Sequence, residues 1–272
     1  MRRGESCASS IDTVKGWSFV SQKIKAPNDK NRSFLWGIVA LVVICAVVIT
    51  VMVINGRKSS NGDLSAADVS FSVNAEDGVV SMRGENASDD ATNVELFEDY
   101  SCHYCAQLAD LDSESLQEAV ENGELNVDLH TVNFVDDEKS TKGGSAALAI
   151  ASSGDAGAFW GFHKKAFADQ ADVARNWDWE EYADAAEQLG VDSEIVDSIR
   201  DGSVEDEYRP LLESNGQDLQ GRVEEPGTPA LFVEGEQFPV QDPQSGEMTD
   251  WVPNVLASAN TEAPSTGDPE AE

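Results

Sequence analysis

Residues 94–105 read VELFEDYSCHYC, from Val94 to Cys105. Two different periodicities meet inside this run. Asn93–Glu98 is expected to be a strand. From about Cys102 to Glu121 the residues Leu108, Leu111, Leu116 and Val120 recur at near-helical spacing, so a helix is expected there. The C-x-x-C pair, Cys102 and Cys105, therefore falls where a strand hands over to a helix. The free N–H groups and the positive dipole end of a helix stabilise an anion at that point. They favour the thiolate of Cys102, the attacking species in disulfide exchange. Cys105 follows one helical turn later, within reach to close a disulfide.

Working outward, Glu124–Val135 alternates Leu125, Val127 and Leu129, a further strand pattern. Strand, helix and strand within about 45 residues make a βαβ unit with a parallel pair. Val69–Val73 and Val79–Met82 are two short β-prone pieces ahead of it. After it come Ala-rich Gly143–Ser153, the aromatic run Ala156–Ala168, Asp178–Leu189 with an N-cap-type Asp, then Asp192–Arg200 and Val204–Ser214. Thr228–Val233 and Gln237–Val240 read as a hairpin with Gly235 at the first central position of its turn. Trp251–Ala257 reads as a closing helix. The expected fold class is α/β, in the order β-α-β, helical block, β-β-α.

A structural zinc site needs four ligands. Here there is no second C-x-x-C, and His130 and His163 are the remaining outside donors, each in an apolar setting. A structural disulfide between Cys102 and Cys105 closes a loop too short to constrain the unfolded chain much. A redox-active dithiol is therefore expected, with no metal and no nucleotide or flavin cofactor. His103 is a candidate for tuning Cys102, since a partly charged imidazole favours the thiolate and hence the reduced form. Tyr104 is a candidate for presenting an apolar edge or shielding the sulfurs. Glu98, Asp99 and Asp110 act in the opposite sense. Glu95 is read as a solvated strand acid at least as readily as a proton acceptor, and His130 and His163 as packed or surface residues. Gly227-Thr228-Pro229 opens the hairpin strand, where proline is tolerated.

Phe34–Ile54 is 21 residues without a charge. As a helix it spans roughly 30 Å, one hydrocarbon core. Seven Lys or Arg precede it, which places residues 1–33 in the cytoplasm and the chain beyond about 59 outside. The run is longer than the apolar region of a cleaved signal peptide, so an uncleaved signal anchor is expected. Cys45, preceded by Ile44, reads as an apolar residue of this segment rather than a lipidation site. Residues 55–67 read as a flexible linker, 68–258 as one extracytoplasmic domain and 259–272 as a disordered acidic tail. The net charge of −33 divides into +4 over residues 1–33, +2 from Arg57 and Lys58, and −39 over 59–272. That acidity excludes nucleic acid and anionic lipid as partners of the outer region.

With these residues in view, 79–258 resembles the DsbA-like branch of the thioredoxin superfamily. The likeness rests on Val94–Cys105, on the helical block after the βαβ unit (about 141–216), and on Gly227–Val233, GTPALFV. It implies a thioredoxin fold with an inserted helical block. It implies a cis proline at Pro229 facing the cysteines, and backbone groups of Thr228 that bind substrate. The implied activity is a thiol:disulfide oxidoreductase that introduces disulfides into exported cysteine-containing proteins, reoxidised by a membrane redox partner of the quinone-linked kind. A reductase or isomerase with the same residues, and a non-enzymatic binding protein on this fold, are the alternatives. The family's best-known oxidases carry Pro-His between the cysteines, where this chain has His103-Tyr104. Their buried acid lies six residues before the first cysteine, at the position of Leu96.

Overall fold

The computed structural model describes residues 36, 38–45, 64–87 and 91–262. The chain divides into two units, 1–56 and 57–272. In the first, residues 36 and 38–45 are helical, and Trp36, Leu41 and Val42 are exposed. The remainder of the expected membrane segment, 34–54, lies outside the described residues, as do residues 1–33. Among the described residues no helix is long and apolar enough to cross a membrane.

The second unit is a six-stranded sheet covered by helices. Its strands are β1 (Phe71–Glu76), β2 (Val79–Gly84), β3 (Thr92–Glu98), β4 (Leu125–Thr131), β5 (Ala230–Val233) and β6 (Glu236–Phe238), in the spatial order β1-β2-β4-β3-β5-β6. β3 and β4 run parallel, joined by the crossover helix α1 (His103–Glu121), and the other pairs are antiparallel. Between β4 and β5 are α2 (Asp137–Ser152), α3 (Ala156–Ala168), α4 (Gln170–Asn176), α5 (Trp179–Gln188), α6 (Ser193–Arg200) and α7 (Val204–Arg222). Helix α8 (Val252–Glu262) closes the chain.

Sequence sets these elements locally. Asp136 caps α2 through the N–H groups of Glu138 and Lys139, and Asp155 caps α3 through that of Ala158. Asp178 and Glu181 form a capping box on α5. Both hairpins turn on two residues of positive φ, Asp77-Gly78 and Glu234-Gly235, the turn that matches strand twist. Gly235 is thus the second central residue of its turn, not the first, because Val233 pairs with Glu236.

Other boundaries also shift. The helical block spans 137–222 rather than 141–216. Helix α7 runs past the expected stop at Ser214, because Gly216 packs against the Phe134 ring, where an added Cβ would meet Cε1 at 2.7 Å. One residue earlier, buried Asn215 donates to the carbonyls of Gly78 (2.8 Å) and Thr131 (3.0 Å), tying α7 to the β1–β2 turn and the end of β4. At the entry, residues 55–63 of the expected linker lie outside the described residues, while 64–67 pack on the domain, with Leu64 and Ala67 against the core and Ala67 N–H bonded to Gly157 O at 2.8 Å. At the exit, α8 continues into the first residues of the expected tail; 263–272 lie outside the described residues.

The sheet separates two apolar clusters. On one face Val94 and Leu96 join Cys105, Leu108, Leu116 and the aromatic block of α3 in the main core. On the other, Phe97, Val132, Leu219, Ala230 and Phe232 form a smaller cluster, over which the Arg222 guanidinium lies 5.4 Å from the Phe97 ring and 5.2 Å from the Phe232 ring.

Candidate active site

β3 ends at Glu98, and the next four residues turn the chain into α1. Asp99 shapes that turn: its carboxylate accepts from Ser101 N–H (2.8 Å) and Val135 N–H (2.9 Å), and its carbonyl accepts from Cys102 N–H (2.8 Å). Cys102 is the N-cap residue of α1, with extended backbone angles, and its side chain is 5% exposed. Cys105 is fully buried on the inner face of the same helix.

The two thiols differ in acidity. Cys102 is lowered to about 6: the Cys105 side chain hydrogen-bonds to it, and the Thr228 side chain and the backbone of Cys105 and Tyr104 add to the effect against the cost of burial. Cys105 is pushed up, first by burial, then by the Cys102 sulfur and by Glu98. The helix terminus therefore acts where the sequence places it. His103 is exposed and turned to Gln107, with 2.9 Å between its Nε2 and Gln107 Nε2; its neighbour Tyr104 is 54% exposed, the two rings 5.4 Å apart.

Across from the cysteines, Thr228-Pro229 is a cis peptide bond, and Cys102 Sγ donates to Thr228 O at 3.3 Å. Pairing of Ala230 with Phe97 sets this loop beside the helix N-terminus. A groove of about 550 Å³ runs from Tyr104 and Pro229 to Phe238, Val240 and Met248. A second, of about 420 Å³, is lined by Cys102, Tyr104, Phe134, Pro226 and Thr228. Both are open; the first mixes polar and apolar lining, and the second, which holds the Cys102 sulfur, is mostly apolar.

Beneath the cysteines is a buried polar group that the sequence reading does not single out as a proton carrier. Strand alternation puts Val94, Leu96 and Glu98 on the face under α1 and Glu95 on the other, where it pairs with Arg222 (2.7 Å) and approaches His130 Nε2 (3.6 Å). Glu98 is 5% exposed and its carboxyl is raised well above the usual range by burial, then by Asp112 and Cys102. His163 Nε2 is 3.7 Å from Glu98 Oε2, and its Nδ1 is 3.1 Å from Tyr100 Oη. Burial lowers this histidine to about 3, so it is neutral. It stacks on Trp160 at 4.9 Å, as Tyr100 does on Phe167. Thus His163 is packed, as expected, but packed against the acid below the dithiol. Asp112 occupies the buried stripe of α1 that Leu111, 45% exposed, was expected to share; it accepts from Trp251 Nε1 at 2.6 Å.

Residues 81–251 match the protein family described as thioredoxin. Among solved structures the chain is similar to the MdbA protein, a thiol-disulfide oxidoreductase from Corynebacterium diphtheriae, at 28% identity, covering 71% of this chain and 95% of that one with a TM-score of 0.63. It is similar to the MdbA protein from Corynebacterium matruchotii at 28% identity, covering 67% and 91%, with a TM-score of 0.60. BdbD from Bacillus subtilis shares the fold at 18% identity, covering 72% and 99%, with a TM-score of 0.52. No curated protein matches the chain. The family match spans more than half of the sequence and contains the whole sheet from β3 onward together with both cysteines. The chain belongs to the thioredoxin family and is, within it, a DsbA-like protein thiol:disulfide oxidoreductase.

Proposed function

We propose that the chain is an oxidase, anchored by residues 34–54, that introduces disulfides into exported proteins outside the cytoplasm. A substrate thiolate attacks Cys102 Sγ in the Cys102–Cys105 disulfide. The S–S bond breaks, a mixed disulfide forms at Cys102, and its electron pair leaves on Cys105. Burial favours the protonated form of Cys105 at that moment, and Glu98, a buried carboxyl raised well above the usual range and close enough to interact with both cysteines, is the candidate proton donor. A second substrate thiolate then attacks the substrate sulfur and expels Cys102 as a thiolate. The substrate has lost two electrons and the dithiol has gained them; a quinone-linked membrane partner would remove them again. Thr228, Pro229 and Tyr104 border the groove in which an extended substrate segment would lie.

The observation that carries the oxidase direction is the Cys102 thiol at about 6. Relative to a thiol at 9.0, it favours the reduced form at pH 7 by at most about 1.4 kcal/mol, or about 30 mV for two electrons, less what water at the groove mouth screens. The anchor is supported by the uncharged run Phe34–Ile54 and by the exposed apolar side chains at 38–44. A redox titration of the full chain tests the direction. A potential toward about −120 mV is expected; one near about −270 mV would make it a reductase. Oxidative refolding of a reduced test protein should be lost in Cys102→Ser, and retained activity there would remove the assignment of this pair.

A further inference from the structure

Beyond residue 59 the chain has nine Lys or Arg against 48 Asp or Glu. At that ratio each cation is expected to find a carboxylate, and six do. Arg83 pairs with Asp128, Lys142 with Glu138 and Asp178, Lys165 with Asp169, and Arg222 with Glu95 and Asp218. Arg200 binds four acids of α5 and α6, and Arg209 binds Asp137 and Glu205. Among the described residues Lys139, Lys164 and Arg175 enter no ion pair.

Two of these three line a single groove beside the dithiol. It measures about 290 Å³ and takes Lys139 from the first turn of α2, Arg175 from the last turn of α4, and Ser101 and His103, the residues on either side of Cys102. Val135 lines both this groove and the apolar one at Cys102, so the two adjoin. Lys139 Nζ has a carbonyl at 3.5 Å, that of Trp177, and the Arg175 side chain is exposed. Asp136 also lines the groove, but its carboxylate is held by the N–H groups of Glu138 and Lys139. A free guanidinium offers paired donors that fit a carboxylate, with the ammonium as a second point of charge. The field of the −39 region is damped over about 8–10 Å at ordinary salt, so the nearest charges decide: the two cations against the Asp136 carboxylate in the lining, with Asp178 also close enough to Lys139 to interact with it.

We propose that this groove is a subsite for an Asp or Glu side chain close to the reacting cysteine of the substrate, so that the enzyme selects cysteines with acidic flanks. The proposal rests on thiol–disulfide exchange at Cys102. An extended segment advances about 3.3 Å per residue, so an acid within two or three positions of the cysteine reaches the groove.

The test uses the oxidised full chain and three peptides that differ near one cysteine in carrying Glu, Gln or Lys. The readout is the ratio of mixed-disulfide formation rates within each protein, which is independent of the folded fraction. The unaltered chain should favour the Glu peptide over the Gln peptide by about tenfold, a preference of about 1.4 kcal/mol, and should lose it as salt rises. In the double variant Lys139→Gln, Arg175→Gln the ratio should fall to near one, and Arg175→Glu should turn the preference toward the Lys peptide. A ratio near one in the unaltered chain, or a preference that survives both variants, overturns the subsite. Failure of every peptide to react with the unaltered chain would instead overturn the exchange chemistry beneath it.

Discussion

Replacing Cys105 by Ala isolates what lowers the Cys102 thiol. The largest favourable contribution is the hydrogen bond from the Cys105 side chain; the helix backbone at Tyr104 and Cys105 and the Thr228 side chain supply the rest. A hydrogen bond to a charged group contributes about 1.5–3 kcal/mol, so its loss should raise the Cys102 pKa by about one to two, from about 6 to roughly 7–8. The value should stay below the ordinary 9.0, because the backbone donors remain. Cys105→Ser, whose hydroxyl still donates, should stay near 6. The assay is the pH dependence of thiolate absorbance, or of alkylation by iodoacetamide, in the two monothiol variants. An Ala variant that still titrates near 6 would refute the reasoning and leave the helix terminus and the Thr228 side chain as the cause. The same lowering links to stability. A thiol held below its unfolded value stabilises the reduced fold fully above 9.0, and the contribution disappears as pH falls through about 6.

Two further outcomes follow from the buried acids. Glu98→Gln removes the proton donor for Cys105, so mixed-disulfide formation should slow on the order of a hundredfold at neutral pH in stopped-flow assays; an unchanged rate excludes the role. Asp112 is raised to about 7, chiefly by burial, so the fold binds its proton more tightly than the unfolded chain does, and stability is lost as pH rises from about 4 through 7. Asp112→Asn keeps an acceptor for Trp251 and should be more stable than the parent at pH 8 but not at pH 4, by urea melts; an equal pH dependence in both proteins would count against it.

Most of the site was legible in one twelve-residue run, because strand, helix start and thiol spacing are all local properties. Glu98 was readable too, since one step of strand alternation, two residues beyond Leu96, reaches it. Searching six residues before the cysteine stops at a leucine and overlooks that the same face continues to the strand end. His163 could not be read this way. Its place under the dithiol depends on how α3 packs onto α1, which no local pattern encodes. Likewise Asp112 looks like surface charge until the helix is rotated so that Leu111 points out. The Asp77-Gly78 turn carried a plain hairpin signal between Val73 and Val79. The length of α7 did not, because Gly216 ends helices in general and here fits beneath Phe134.

Strand β6 has a consequence for a protein that exchanges disulfides with other chains. It is the outermost strand beside the substrate groove, only three residues long, with Glu236 exposed on it and Glu234 in the turn before it. A long flat edge there would recruit extended clients as additional strands and hold them. A three-residue edge fringed with carboxylates gives a visiting chain too few backbone partners to stay. The catalyst thus keeps an open rim next to its sulfur while resisting the growth of mixed sheets with the proteins it serves.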